Sequence, residues 1–206
     1  MTSRVFLVRH GETEYNHRGL ALGRADAPLN ETGRRQAERL REALAEVPLT
    51  AVYASPLVRA ADTAISIATA HGMEVLIEDD LVEMDIGEVE GLTFPELRKQ
   101  FPTLAQNWGG PDGPTFRMPG GERLVDVQRR AVDAIEALAA RHQDETFCVV
   151  THNFVILSFL AVVLGIELAQ FRRLRHGVGA IAEIDIRPGR SRVVRLNDTC
   201  HLDGLG

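Results

Sequence analysis

The 206-residue chain contains 45% hydrophobic and 25% charged residues, which is the composition of a globular protein large enough to bury a core unaided. Its formal net charge of −6 does not favour nucleic acid or an anionic membrane as a partner. The longest apolar run, residues 154–165, is too short to cross a bilayer, and residues 1–8 lack a secretory signal pattern. Two cysteines cannot form a disulfide framework, so we expect a cytoplasmic protein.

The first half of the chain alternates short apolar runs with helical repeats. Asn30 is a good N-cap residue, and apolar residues then recur at helical spacing. Gly72 is placed to end a second helix. We predict strands at residues 4–8, 50–54 and 74–78, and helices from Asn30 to about Val47 and over residues 57–71.

The second half continues the alternation and ends in a hairpin pattern around Pro188-Gly189. Helices are predicted at residues 93–101, 122–141 and 154–165, a loop at 109–121, and strands at 146–151, 180–186 and 191–196. Alternating strands and helices favour an α/β fold, here a three-layer α/β/α sandwich. Its sheet should be mostly parallel with an antiparallel hairpin at one edge. No linker or repeat divides residues 1–206, so we expect a single domain.

Reactive side chains follow each of the four predicted parallel strands. Ligands of open α/β sheets bind at the carboxyl ends of the strands, so these residues should share one rim. They are Arg9 and His10, then Ser55 and Arg59, then Asp79, Asp80, Glu83 and Asp85, and finally His152 and Asn153. Two arginines suit the oxygens of a phosphoryl group, and a neutral imidazole is a nucleophile toward phosphorus. A protonated carboxyl group would supply the acid for the leaving oxygen.

The order of several motifs resembles that of the histidine phosphatase superfamily, the phosphoglycerate mutase-like fold. The segment Leu-Val-Arg-His-Gly-Glu-Thr-Glu-Tyr-Asn at residues 7–16 is similar to the signature of that family. Further similar segments follow in the family's order at residues 28–33, 55–60, 83–87 with Gly91, 119–122, 149–152 and 197–199. The resemblance therefore covers nearly the whole chain and implies a metal-independent phosphatase without a cofactor.

The resemblance also implies a role for each matching residue. His10 would attack phosphorus, Glu83 would protonate the leaving oxygen and then help to activate water, and Arg9, Arg59 and His152 would bind the phosphoryl oxygens. Glu83 is preferred to its neighbour Asp85 on family position alone. The implied substrate-binding residues are Thr13, Asn16, Leu22, Gly23 and Asn153. Many relatives have glycine where this chain has Asn153, which bears on substrate choice.

Five other histidines lack the spacing of metal ligands, so we expect them to be structural or exposed. They are His17, His71, His142, His176 and His201. Residues 177–182 fit the dinucleotide pattern G-x-G-x-x-A. That pattern must follow a strand and open a helix, whereas here it leads into a predicted strand. We therefore expect neither a metal nor a dinucleotide site.

The sequence predicts a phosphomonoesterase that acts on a small phosphorylated metabolite. A phosphoglycerate mutase would use the same site. This alternative is disfavoured because residues 88–121 hold few cations, namely Arg98, Lys99 and Arg117. A phosphoprotein-binding module on this fold would not need a nucleophile such as His10. The glycine- and proline-rich loop at residues 109–117 is the candidate lid. An exposed edge strand would suit a homodimer.

Overall fold

The computed structural model describes residues 2–187 and 189–205; Pro188 of the predicted hairpin turn lies outside the described residues. The described residues form one six-stranded sheet in the order β3-β2-β4-β1-β5-β6. The strands are β1 (Ser3–Arg9), β2 (Leu49–Ala54), β3 (Val75–Ile77), β4 (Thr146–Thr151), β5 (Ile181–Ile186) and β6 (Arg192–Asp198). The first four in spatial order are parallel, whereas β5 runs antiparallel to β1 and β6 antiparallel to β5.

Seven α-helices are found in the part of the chain that the structure describes. They are α1 (Glu14–His17), α2 (Glu31–Leu44), α3 (Val58–Ala70), α4 (Phe94–Gln100), α5 (Pro102–Asn107), α6 (Leu124–Arg141) and α7 (Asn153–Leu164). The side chain of Asn30 caps α2 by accepting the Gly33 amide at 2.8 Å, as its position predicts. Gly165 ends α7 in the left-handed conformation, with φ of 65°.

Alternate residues of the central strands pack into two separate hydrophobic cores, one on each face of the sheet. Val5 and Leu7 of β1 pack into a core that contains α6 and α7. Phe6 and Val8 of the same strand pack into a second core with α2 and α3. The predicted three-layer α/β/α sandwich, with its mostly parallel sheet and antiparallel edge, is therefore confirmed.

The structure departs from the sequence prediction in four short regions. Helices α1 and α5 were not predicted, because four and six residues are too few to show a helical period. The predicted loop at residues 109–121 contains a 3₁₀ turn at Gly113–Thr115. Strand β3 covers only three residues and is followed by a second 3₁₀ turn, Asp79–Leu81. The residues of the dinucleotide-like pattern lie before and at the start of β5 rather than at the start of a helix.

Candidate active site

Three adjacent parallel strands deliver the candidate catalytic residues to one edge of the sheet. Strand β4 lies between β2 and β1, so the residues that follow these strands are neighbours. His10 follows β1 and His152 follows β4, and their ring centroids are 5.1 Å apart. Arg59, in the first turn of α3, reaches His10 with its Nε at 3.3 Å from the imidazole Nε2. The predicted convergence of these side chains is therefore present in the structure.

His10 is held as a neutral imidazole of defined tautomer. Its Nδ1 lies 2.7 Å from the carbonyl oxygen of Gly11, and since a carbonyl only accepts, Nδ1 carries the proton. The lone pair is then on Nε2, where Arg59 donates to it. Burial, followed by the charges of Arg9 and Arg59, holds the pKa of His10 well below its ordinary value. The ring is thus a nitrogen nucleophile at neutral pH.

Arg59 is completely buried, and its position is set by a neighbouring loop. Its Nη1 donates to the carbonyl of Ala25 at 2.8 Å and its Nη2 to the carbonyl of Gly23 at 2.7 Å. Burial lowers the pKa of Arg59, whereas the charge of the nearby Glu83 raises it. A guanidinium keeps its charge in such surroundings, so Arg59 brings a fixed positive charge to His10.

Arg9 lies on the other side of the site and is anchored by α7 and by the segment before β5. Its Nη1 donates to the carbonyl of His176 at 2.8 Å and to the side-chain oxygen of Asn153 at 3.3 Å. Burial lowers the pKa of Arg9 to about 10, against the raising effect of Glu83. Asn153, which stands where many relatives have glycine, therefore helps to orient Arg9, a candidate active-site residue.

His176, which the sequence suggested was structural or exposed, is a buried neighbour of the site. The carbonyl oxygen of His176 accepts a hydrogen bond from Nη1 of Arg9. Its ring Nε2 donates to the carbonyl of Ala180 at 3.0 Å. Burial and the charge of Arg9 lower the pKa of His176 to about 4, so the ring is neutral. Nothing in the spacing of the sequence places His176 next to Arg9, because the contact depends on the path of the chain into β5.

His152 is fully buried, and its ring is oriented by Ser55, which the sequence placed at the same rim but without a role of its own. Its Nε2 lies 2.7 Å from the hydroxyl of Ser55, which follows β2. Burial, together with the charges of Arg59 and Arg9, keeps the pKa of His152 well below the ordinary value. The Ser55-Pro56 pair within the Arg59 motif was the signal that could have identified Ser55.

Glu83 is a buried carboxyl group beside two arginines. Its two oxygens accept the backbone amides of Met84 at 2.8 Å and Phe154 at 3.3 Å. Burial is the largest influence and raises the pKa of Glu83, although the amides and the charges of Arg59 and Arg9 oppose it. A carboxyl group with a raised pKa keeps its proton to higher pH than an exposed one, which suits a general acid.

Besides Nδ1 of the neighbouring His176, two buried nitrogens of the candidate catalytic residues have no hydrogen-bond partner in the described part of the chain. They are Nε of Arg9 and Nδ1 of His152. An unpaired buried polar atom costs free energy, so such atoms commonly mark the place of a ligand. Together with the charge of Arg59, they form a site suited to the oxygens of an anion.

Among the predicted substrate-binding residues, Gly23 and Asn153 contact the arginines of this site, whereas Thr13 and Asn16 pair with each other. The buried Thr13 caps α1, and its hydroxyl donates to Oδ1 of Asn16 at 2.9 Å. Leu22 is partly buried. The amide of Gly23 donates to the carboxylate of Glu90 at 2.7 Å, and its carbonyl accepts Arg59.

Comparison with known proteins agrees with this arrangement of residues. A sequence profile of the histidine phosphatase superfamily (branch 1) matches residues 5–199. The chain belongs to the histidine phosphatase superfamily. Phosphoserine phosphatase 1 of Hydrogenobacter thermophilus is 33% identical over 200 residues, which are 97% of this chain and 94% of that protein. The family resemblance drawn from the ordered motifs is confirmed, and the protein is a phosphatase of this family.

Two solved structures of this histidine phosphatase's relatives match it over almost its whole length. YhfR of Bacillus stearothermophilus has a TM-score of 0.91 at 30% identity, with coverage of 98% of this chain and 100% of that one. The phosphoserine phosphatase of Entamoeba histolytica, solved with 3-phosphoglyceric acid, has a TM-score of 0.85 at 27% identity. That match covers 97% of this chain and 99% of the other.

The described residues contain neither a metal-binding cluster nor a membrane-spanning helix. Among them, no three histidine, cysteine, aspartate or glutamate side chains are grouped so as to hold a metal ion. Within the same residues, every helix is too short or too polar to span a bilayer.

Proposed function

We propose that this histidine phosphatase hydrolyses small phosphomonoesters through a phosphohistidine formed on His10. The observation that carries the proposal is the environment of the His10 ring. Its proton is fixed on Nδ1 by Gly11, Arg59 donates to Nε2, and the ring of His152 lies 5.1 Å from that of His10. The buried carboxyl group of Glu83 lies close enough to Arg9 and Arg59 to feel their charges. A nucleophile, charge-stabilising donors and an acid are the three requirements of such a reaction.

The reaction takes place in two steps that use the same residues. The Nε2 lone pair of His10 attacks phosphorus, the bond from phosphorus to the ester oxygen breaks, and Glu83 gives its proton to that oxygen. The released alcohol leaves room for water. The carboxylate of Glu83 then takes a proton from the water as it attacks phosphorus, the P–N bond breaks, and inorganic phosphate is released.

Arg9, Arg59 and His152 stabilise the negative charge that develops on the phosphoryl oxygens. The buried site strengthens each of these interactions, since water does not screen them. Because protein side chains supply this charge, we expect turnover to persist in EDTA. Thr13, Asn16, Leu22, Gly23 and Asn153 are proposed to shape the phosphate pocket, Gly23 by holding Arg59.

Phosphoserine is the first substrate to test, because two of the similar proteins described above are named phosphoserine phosphatases. Sugar phosphates, phosphoglycerates and the ribazole phosphate of cobalamin synthesis complete the panel. The candidate lid over residues 109–117 is proposed to set the preference. Trp108, next to it, packs on Phe154 of α7 with ring centroids 5.9 Å apart, so the loop is coupled to the site.

The proposal is tested by measuring phosphate release from this panel by the wild type, His10→Ala and a matched control. The control is His17→Ala, because His17 is exposed, with 68% of its side-chain surface accessible. We expect His10→Ala to lose all detectable turnover while it stays folded, and His17→Ala to keep wild-type rates. Full activity in folded His10→Ala would refute the mechanism.

The same assay separates the two rival functions. A phosphoglycerate mutase would isomerise 3-phosphoglycerate with little release of inorganic phosphate. A phosphoprotein-binding module would bind a phosphopeptide without any release of phosphate. We expect hydrolysis. The neutral His10 and the acid Glu83 disfavour a binding module, and the small number of cations in residues 88–121 disfavours a mutase.

We also propose that the protein is cytoplasmic and forms a homodimer through the exposed edge of the sheet. Strand β3 has a neighbour only on the β2 side among the described strands, and Leu76 and Ile77 are 47% and 53% exposed. Ile65 of α3 adds a further exposed apolar side chain. Sedimentation equilibrium distinguishes a dimer from a monomer.

A further inference from the structure

The segment that carries Glu83 depends on other elements for its hydrogen bonds. It comprises residues 80–83 and runs from the 3₁₀ turn into irregular backbone. Its four carbonyl groups all accept from side chains of distant residues. Thr151 donates to the carbonyl of Leu81 at 2.6 Å, and Arg130 of α6 donates to the other three.

Arg130 uses its whole guanidinium group in these contacts. Its Nη1 donates to the carbonyls of Asp80 at 2.7 Å and Val82 at 2.5 Å, and its Nη2 donates to that of Glu83 at 3.1 Å. Its Nε and Nη2 also pair with the carboxylate of Glu122, at 3.3 and 3.2 Å. The five N–H donors of an arginine are therefore all matched by acceptors.

Glu122 completes the arrangement on the other side of Glu83. Its carboxylate accepts the amide of Asp85 at 2.8 Å, and its own amide donates to the carbonyl of Asp85 at 2.8 Å. The backbones meet closely here, since a Cβ on Gly121 would lie 2.3 Å from the Asp85 carbonyl oxygen. The Arg130–Glu122 pair thus forms hydrogen bonds with the backbone on both sides of the proposed acid.

From these contacts we infer that Arg130 is a positioning residue for Glu83, an inference that rests on the proposed function. Arg130 touches only the backbone of the acid's segment and its partner Glu122. Its planar fork fixes three carbonyls at once, which a single ammonium group cannot do. Without it, the Glu83 carboxyl group loses its fixed distance from the leaving oxygen, and displacement by about 1 Å costs on the order of a hundredfold in rate.

The test compares two substrates that differ in their need for an acid. The alkoxide that leaves phosphoserine needs a proton, whereas the phenolate that leaves p-nitrophenyl phosphate is stable without one. The parameter kcat/KM covers the steps up to release of this first product. For Arg130→Gln we expect kcat/KM with phosphoserine to fall at least about tenfold more than with p-nitrophenyl phosphate. A general loss of structure would lower both equally.

Arg130→Lys keeps the positive charge and serves if Arg130→Gln does not fold. We expect it to shift the same ratio in the same direction by a smaller factor, because lysine donates to fewer of the carbonyls. The matched control is Arg129→Gln, since the neighbouring side chain is 74% exposed and pairs with Asp126 alone at 3.8 Å. This control should leave both substrates unchanged.

The outcomes separate this inference from the proposed function. An unchanged ratio in folded Arg130 variants, whether both rates fall or neither does, would overturn the positioning role while leaving the function of the enzyme intact. A wild-type protein that released phosphate from neither ester nor from any member of the panel would instead refute the proposed function, and the positioning role with it.

Discussion

The proposed nucleophile shows at the scale of single residues what sequence alone can and cannot predict. The sequence predicts that Arg9, His10, Arg59, Glu83 and His152 share one rim, because each follows a strand whose order is readable. It does not predict that Gly11 fixes the tautomer of His10 at 2.7 Å or that Ser55 orients His152. Those contacts depend on the directions in which side chains point, and the hydrophobic periodicity of a sequence does not predict these directions.

The buried carboxyl group should determine the alkaline side of the pH profile. Because burial raises the pKa of Glu83, its acid form persists above the ordinary range and is lost as pH rises through the raised pKa. We expect kcat/KM for phosphoserine to decline there in the wild type. In Glu83→Gln we expect a loss of about 10²–10⁴-fold and no remaining alkaline decline.

Two further variants decide whether Glu83 is the acid. Glu88→Gln is the matched control, since Glu88 is exposed in the same acidic stretch, and it should keep the wild-type profile. Asp85 is the neighbouring acid, and its carboxylate accepts the amide of Gly87 at 2.9 Å. If Asp85→Asn removed the alkaline decline and Glu83→Gln did not, the assignment of the acid would be wrong.

At the scale of elements, the start of α2 is packed backbone to backbone against the loop after His10. A Cβ on Gly33 would lie 2.0 Å from the carbonyl oxygen of Glu12, and one on Gly11 would lie 2.5 Å from the Gly33 carbonyl oxygen. Sequence analysis predicted the helix and its Asn30 cap. It could not predict this close approach, because Gly33 in the first turn of the helix belongs neither to the apolar repeat nor to the N-cap pattern.

Substitution of Gly33 by alanine tests this contact. The added methyl group has no room, so we expect Gly33→Ala to lower the free energy of unfolding by about 1–3 kcal/mol despite the better helix propensity of alanine. Displacement of residues 11–12 should also reduce kcat. Urea unfolding and phosphatase assays give the two values.

The control for Gly33→Ala is Gly109→Ala. The nearest atom to a Cβ there is a side-chain nitrogen of Arg172 at 3.5 Å, an ordinary contact. It should change the free energy of unfolding by less than about 0.5 kcal/mol. An equal effect of the two substitutions would show that the close approach at Gly33 does not matter.

At the scale of the whole molecule, the fold was the most predictable feature. Strand and helix order along the chain determines a layered α/β sheet, and the structure confirms it with differences confined to short elements such as α1 and α5. The site, by contrast, required contacts between segments far apart in the chain, such as Arg130 with Val82. Because no linker divides the sequence, we propose a single domain that unfolds in one cooperative transition.

Buried neutral histidines should make the stability of the whole molecule depend on pH. The pKa values of His10, His152 and His176 are all lowered, with His176 at about 4. The unfolded chain therefore binds more protons below about pH 6.5, so stability is lost as pH falls through that value. Each such histidine contributes a slope of up to about 1.4 kcal/mol per pH unit. Glu83, whose pKa is raised, opposes this trend.

Urea unfolding between about pH 8 and pH 5 measures this dependence. His176→Gln should reduce the slope, because one buried neutral imidazole is removed. His17→Gln should leave it unchanged, since that side chain is exposed. A stability that did not decline with falling pH in the wild type would contradict the burial of these rings as neutral groups.

The central claim, a covalent phosphohistidine on His10, is tested most directly by trapping it. The enzyme is mixed with p-nitrophenyl phosphate and quenched in alkaline denaturant, in which phosphohistidine survives, and its peptides are then weighed by mass spectrometry. We predict one phosphoryl group on the peptide that contains His10 and more of it in Glu83→Gln, which is slow to activate water. Turnover by the wild type with no phosphoryl group on His10 at any quench time, together with a folded His10→Ala that still releases phosphate, would contradict this mechanism.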